Sequence, residues 1–111
     1  MKDFIKKWYN DNNIEEQTLG YFWKSFDIYL KDDFEESIIV FPEGNKNIVL
    51  KFYKISYEFE LPDLLTSDAQ GLIGVYIDIF TNGKNVGYFR QLYLLDGTPF
   101  DEYFVINEIK C

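Results

Sequence analysis

Two dipeptides, Asn82-Gly83 and Asp96-Gly97, constrain this chain more than anything else in it. Each lies between two apolar runs. Tight hairpin turns need residues that tolerate positive φ, as Asn, Asp and Gly do. Residues 72–81, 85–95 and 101–107 are therefore expected to form an antiparallel three-stranded meander. A two-residue loop at Asn82-Gly83 pairs Thr81 with Lys84 and fixes a register. Ile79 then faces Val86, Ile77 faces Tyr88, Val75 faces Arg90 and Ile73 faces Leu92. That face is apolar and is expected to be the core. The opposite face would carry Tyr76, Asp78, Phe80, Phe89, Gln91 and Tyr93, a mixture suited to a wet or partner-facing surface.

The segments before the meander supply what covers it. Phe4, Ile5 and Trp8 are spaced for one stripe of a short helix over 3–10, with Asp3 as its cap and Asn10 to Asn13 as its end. From Glu15 to about Leu30, the residues Leu19, Phe22, Trp23, Phe26, Tyr29 and Leu30 recur at helical spacing, despite Gly20. Residues 26–30 also alternate, but the longer pattern favours a helix whose aromatic stripe covers the sheet. Lys31 to Glu36 reads as an acidic connector, and Ser37 to Phe41 as a short strand ended by Pro42. A polar turn over 43–47 leads to a long strand from Ile48 to Leu61. In it Tyr53, Ile55, Tyr57, Phe59 and Leu61 face one way and Lys54, Ser56, Glu58 and Glu60 the other. A loop over 63–71 with one helical turn at Leu64-Leu65, and a frayed tail from Glu108, complete the chain. The expected fold is α+β: one or two N-terminal helices packed on an antiparallel sheet of about five strands, in a single domain over 1–111.

The residues present exclude much chemistry. The 111 residues contain no histidine, so no His-based triad, proton relay or metal site can form. The one cysteine is Cys111, which rules out an internal disulfide and an interior thiolate. No phosphate-binding glycine loop occurs, and Arg90 is the only arginine. No cofactor is implied. Carboxylates remain. Asp78, Gln91 and Glu102 form the best candidate cluster, best read as a solvated sheet face rather than a glycosidase-like pair. Asp32, Asp33, Glu35 and Glu36 lack the spacing and the glycine of a calcium loop. Arg90 is expected among apolar groups, reaching a carboxylate such as Asp101 or Glu102. Without histidine, interior cysteine or a cofactor motif the chain is expected to have no catalytic activity, and it is read as cytosolic, since its lysine-bearing N-terminus lacks an apolar signal core and no run is long enough to span a bilayer.

The regional acidity suits either the solubility of an acidic protein or a docking surface for a basic protein partner, and the aromatics beside the acids suit the second. The net charge is −8, which repels nucleic acid and anionic membranes and attracts a basic surface. Residues 11–43 hold nine acids against Lys24 and Lys31, a local charge of −7, and residues 55–71 add −4. Aromatics make up 20% of the chain, enough to serve both a core and an interface. The expected partner-binding residues are Asp32, Asp33, Phe34, Glu35, Glu36, Tyr57, Glu58, Phe59, Glu60 and Asp63: acids for a charged rim, aromatics for buried anchors.

Val86-Gly87-Tyr88-Phe89-Arg90, then Leu94-Leu95-Asp96-Gly97, then Phe100 to Ile106 resemble the C-terminal strands of small bacterial immunity proteins, especially those of contact-dependent growth inhibition systems. The resemblance covers roughly the last third of the chain. It implies a cytoplasmic protein that binds and neutralises a cognate toxin domain, often a nuclease. It transfers no site residue. Two other readings stand beside it: an acidic mimic of nucleic acid that inhibits a host nuclease, and a small carboxylate-dependent enzyme.

Overall fold

The computed structural model describes residues 2–60 and 70–107. Three helices precede four strands: α1 (Lys2–Asp11), α2 (Ile14–Asp32), α3 (Phe34–Val40), β1 (Ile48–Glu60), β2 (Gln70–Thr81), β3 (Lys84–Leu94) and β4 (Pro99–Ile106). The strands form one antiparallel sheet in the order β1-β2-β3-β4. The helices pack on one face of it, here called the inner face. Among the described residues no helix is long and apolar enough to cross a membrane.

Both hairpin turns lie where the dipeptides place them. Asn82 and Gly83 have φ of 52° and 79°, the pair of positive values that a type I′ turn requires. At the second turn Gly97 has φ of 91° and its N–H donates to Leu94 O, giving a three-residue loop over Leu95-Asp96-Gly97. α1 is pinned to this turn. The Trp8 indole N–H donates to Leu95 O at 3.0 Å, and the Trp8 ring meets Tyr93 edge-on. Asp3 sits in the first turn of α1 rather than capping it.

α2 crosses the inner face as its aromatic stripe predicts. Phe22 packs edge-on against Phe89 and stacks on Phe104, and Phe26 meets Phe41 edge-on at 5.1 Å. Ile73, Val75, Ile77 and Ile79 of β2 lie beneath the helices with no exposed surface. Full burial of four such side chains stabilises the fold by about 1.5–3 kcal/mol each. Tyr93 completes the core, its hydroxyl hydrogen-bonded to Thr18 at 2.7 Å. Burial pushes this phenol up to about 12, against the lowering effect of the Thr18 hydrogen bond.

The register of β3 differs from the expected one. Thr81 pairs with Lys84, but an irregularity follows between Ile79 and Phe80. Beyond it Ile79 pairs with Gly87, Ile77 with Phe89, Val75 with Gln91 and Ile73 with Tyr93. One extra residue on β3 is a bulge, and a one-residue slip moves every later side chain to the other face. Phe89, Gln91 and Tyr93 therefore belong to the core, while Tyr88 and Arg90 join Tyr76, Asp78 and Phe80 on the outer face. A second bulge at Tyr53, between Phe52 and Lys54, turns Tyr53 away from Ile55 and Tyr57 and onto the ring of Tyr76.

Among the described residues the sheet has four strands, because Ser37 to Phe41 is not a strand. α2 continues to Asp32, and α3 begins at Phe34. The expected connector is thus the junction of two helices, separated by Asp33 alone. Ser37, Val40 and Phe41 are buried at helical spacing, Glu35 and Glu36 sit in the first turn where the helix dipole favours acids, and Pro42 follows the end. Tertiary packing of that stripe overrides the β-propensity of Ile38, Ile39 and Val40. The loop expected over 63–71 falls mostly outside the described residues, though β2 already begins at Gln70. Leu61, the turn at Leu64-Leu65 and the tail from Glu108 lie outside them.

Candidate partner-binding surface

Asp33 makes the α2–α3 corner. Its N–H donates to Tyr29 O at 2.9 Å, ending α2, and its carbonyl accepts from Ser37 N–H at 2.8 Å, starting α3. The Tyr29 hydroxyl donates to Glu36 Oε2 at 2.6 Å and ties the two helices together. Burial, with Glu36 beside it, pushes the Tyr29 phenol well above its ordinary value, so the hydroxyl stays protonated as the donor.

This corner presents acids and apolar groups together. Asp32, Asp33, Phe34 and Glu35 are exposed, Glu36 is half-buried, and the five line an open recess of ≈ 510 Å³. Phe34 keeps 61% of its surface in water and Ile38, four residues on, keeps 50%. That spacing puts both on one stripe of α3. Ile39 and, on α2, Ile28 are more than half exposed as well. Large apolar side chains exposed in a group within a polar rim are the composition of an interface.

The other expected site residues lie elsewhere. Tyr57 is half-buried on the inner face, packed in the cluster of Trp8, Ile73 and Tyr93. Glu58 points to the outer face. The α2–α3 corner packs instead through Tyr29 and Phe41 in the cluster of Ile79 and Val86. Ile73 and Ile79 are six residues apart on β2, about 20 Å of strand. Asp32 to Glu36 are thus brought together, while Tyr57 and Glu58 share no surface with them. The side chains of Phe59 and Glu60, and Asp63 altogether, lie outside the described residues.

On the outer face Glu58 accepts from the Arg90 guanidinium, from the Tyr76 hydroxyl at 2.6 Å and from the Ser56 hydroxyl at 2.8 Å. Burial alone would push the Glu58 carboxyl up. The two hydroxyls and the guanidinium outweigh it and hold the carboxyl below its ordinary value. Arg90 pairs with Tyr76, not Val75, and its partner is Glu58 rather than Asp101 or Glu102.

The carboxylate cluster of Asp78, Gln91 and Glu102 does not form. Gln91 is buried on the inner face, where Glu102 accepts from the Ser25 hydroxyl, and Asp78 is on the outer face. Among the described residues no group of three or more potential ligands is placed to hold a metal ion. No protein-family model, no curated protein and no solved structure matches the chain.

The sequence reading missed Ile28, Ile38 and Ile39. The signal was the spacing of Ser37, Val40 and Phe41 behind two acids, a helical stripe with its remaining apolar residues turned outward.

Proposed function

We propose that this protein is an immunity protein, a stoichiometric inhibitor that neutralises a basic toxin domain in the cytoplasm. It docks through the α2–α3 corner. The observation that carries the reading is the exposure of Phe34 and Ile38 on a helix whose first turn and N-terminal junction hold Asp32, Asp33, Glu35 and Glu36. Apolar anchors give a complex its lifetime, and a charged rim gives it its encounter rate. A basic nuclease domain fits the sign of this surface. In this reading the protein performs no reaction of its own, and it acts by covering the toxin's active-site cleft or substrate path.

The test is binding kinetics against the C-terminal domain of the product of the gene directly upstream, where this reading expects the toxin. Phe34→Ala should raise the dissociation rate, costing about 2 kcal/mol of affinity. Reversing Asp32, Asp33, Glu35 and Glu36 to Lys should chiefly slow association, and rising salt should reduce the native association rate in the same way. Native kinetics that ignore salt, together with unaltered binding by both variants, would rule out this corner as the interface.

A further inference from the structure

The outer face of the sheet is a second surface, built on different principles. Its described residues form rows across the strands. One row is Lys54, Tyr76, Arg90 and Tyr103; a neighbouring row is Lys51, Asp78, Tyr88 and Val105. The Arg90 guanidinium lies between the Tyr76 and Tyr103 rings, 5.5 and 5.2 Å from their centroids. Tyr53 and Tyr103 keep 50% and 39% of their surface exposed. Tyrosine and arginine are the side chains that dominate interface energetics, and here Glu58 and the rings already hold Arg90 in place, so burying it loses little further freedom.

Charge selects the occupant. Among the described residues the face carries Lys51, Lys54 and Arg90 against Glu58, Asp78 and Asp101, so their charges balance on a chain of net charge −8. A polyanion finds no net attraction there, and neither does a basic protein. The face is also polarised: the exposed lysines stand on edge strand β1 and exposed Asp101 on the opposite edge, β4. Such a surface complements itself. We propose that two copies of this chain pair outer face to outer face, about a two-fold axis running along the strands between β2 and β3.

That axis lays β1 of each copy over β4 of the other. Lys54 then faces the partner copy's Asp101, which lies one row away along the strand, within reach of a lysine side chain across the ~10 Å that separates packed sheets. A two-fold axis across the strands would instead lay β1 on β1 and bring the lysines together, which like-charge repulsion disfavours. Four strands ~4.8 Å apart and the two rows that stay accessible, since Gly74 and Leu92 of the third are already buried, cover roughly 250 Å² per copy, about a third of a standard interface. The dimer is accordingly weak and salt-sensitive, and it leaves the α2–α3 corner free.

Sedimentation of the full chain from about 10 μM to about 1 mM reads the equilibrium. The native chain should self-associate. Lys54→Glu and Asp101→Lys should each weaken association at least ~10-fold, because each places like charges in both symmetry-related contacts. An equimolar mixture of the two variants should regain native association, since both contacts then join opposite charges. Both positions are exposed, and circular dichroism checks the fold; Lys54→Gln, which removes charge without reversing it, should give an intermediate loss. A native chain still monomeric at the highest concentration, or a mixture no better than its components, overturns the proposal. So does single-stranded RNA binding that Lys54→Glu abolishes.

Discussion

The two faces of β2 and β3 are made by alternate residues of the same strands, and they are held together in different ways. On the inner face Ile73, Val75, Ile77 and Ile79 are sealed by α1 and α2 and meet Phe89 and Tyr93 without reaching water. On the outer face Tyr76, Asp78, Tyr88 and Arg90 are half-buried, and Arg90, Tyr76 and Glu58 are joined through hydrogen bonds and ring contacts. The inner face draws its energy from area removed from water, which is large and non-directional. The outer face draws a smaller energy from directional contacts, and those fix the positions of side chains that remain accessible. One face makes the fold, and the other is available to be recognised.

Paired substitutions on neighbouring strands measure this difference most directly. Ile77→Ala should cost about 2–5 kcal/mol, the range for emptying a fully buried position. Tyr88→Ala, on the outer face of the next strand, should cost about 1 kcal/mol or less. Urea denaturation of both variants supplies the comparison. Similar losses at the two positions would mean that the faces do not divide stability as described.

A smaller effect comes from a polar pair inside the core. Thr18 has no exposed surface and its hydroxyl meets the Tyr93 hydroxyl at 2.7 Å. Tyr93→Phe leaves Thr18 buried without that partner, for about 1–2 kcal/mol. Adding Thr18→Val should recover part of the loss, since deleting both partners leaves nothing unsatisfied. A double variant that loses the full sum of the single losses would show that the pair is not coupled.

These contrasts also explain what the sequence could reveal. The hairpin turns were legible because Asn82, Gly83 and Gly97 act locally, through φ. The stripe of α2 was legible because Phe22 and Phe26 repeat at helical spacing. The face assignment of β3 was not. Its two alternating sets, Val86-Tyr88-Arg90-Leu92 and Gly87-Phe89-Gln91-Tyr93, are both mixed, so periodicity cannot choose between them. The choice rests on distant partners: Phe22 for Phe89, Thr18 and Trp8 for Tyr93. It also rests on Gly87, where a Cβ would collide with the carbonyl oxygen of Val105. α3 was missed for a different reason: the β-propensity of Ile38, Ile39 and Val40 hid the helical spacing of Ser37, Val40 and Phe41, and packing against the sheet decides for the helix. Of the candidate site, the acids and Phe34 could be read directly, and the exposed isoleucines of α3 only through that helical spacing.

The smallest predicted effect concerns the outer network and depends on pH. The Glu58 carboxyl is held below its ordinary value of 4.5 in the folded chain. A depressed carboxyl contributes stability that is present above 4.5 and is lost as pH falls through the folded value, because the unfolded chain takes up the proton first. Glu58→Gln removes this contribution at every pH. At neutral pH the variant should be less stable by about 1 kcal/mol or less, since solvent screens part of the ion pair with Arg90. As pH is lowered through the carboxylate range, the native chain should lose that advantage and the two stability curves should converge. Ile77→Ala offers the control: its deficit comes from lost apolar burial and should hardly change over the same range. If the Glu58→Gln deficit stays constant or widens on acidification, the network does not stabilise the outer face through the charged carboxylate, and the distinction between the faces would rest on burial alone.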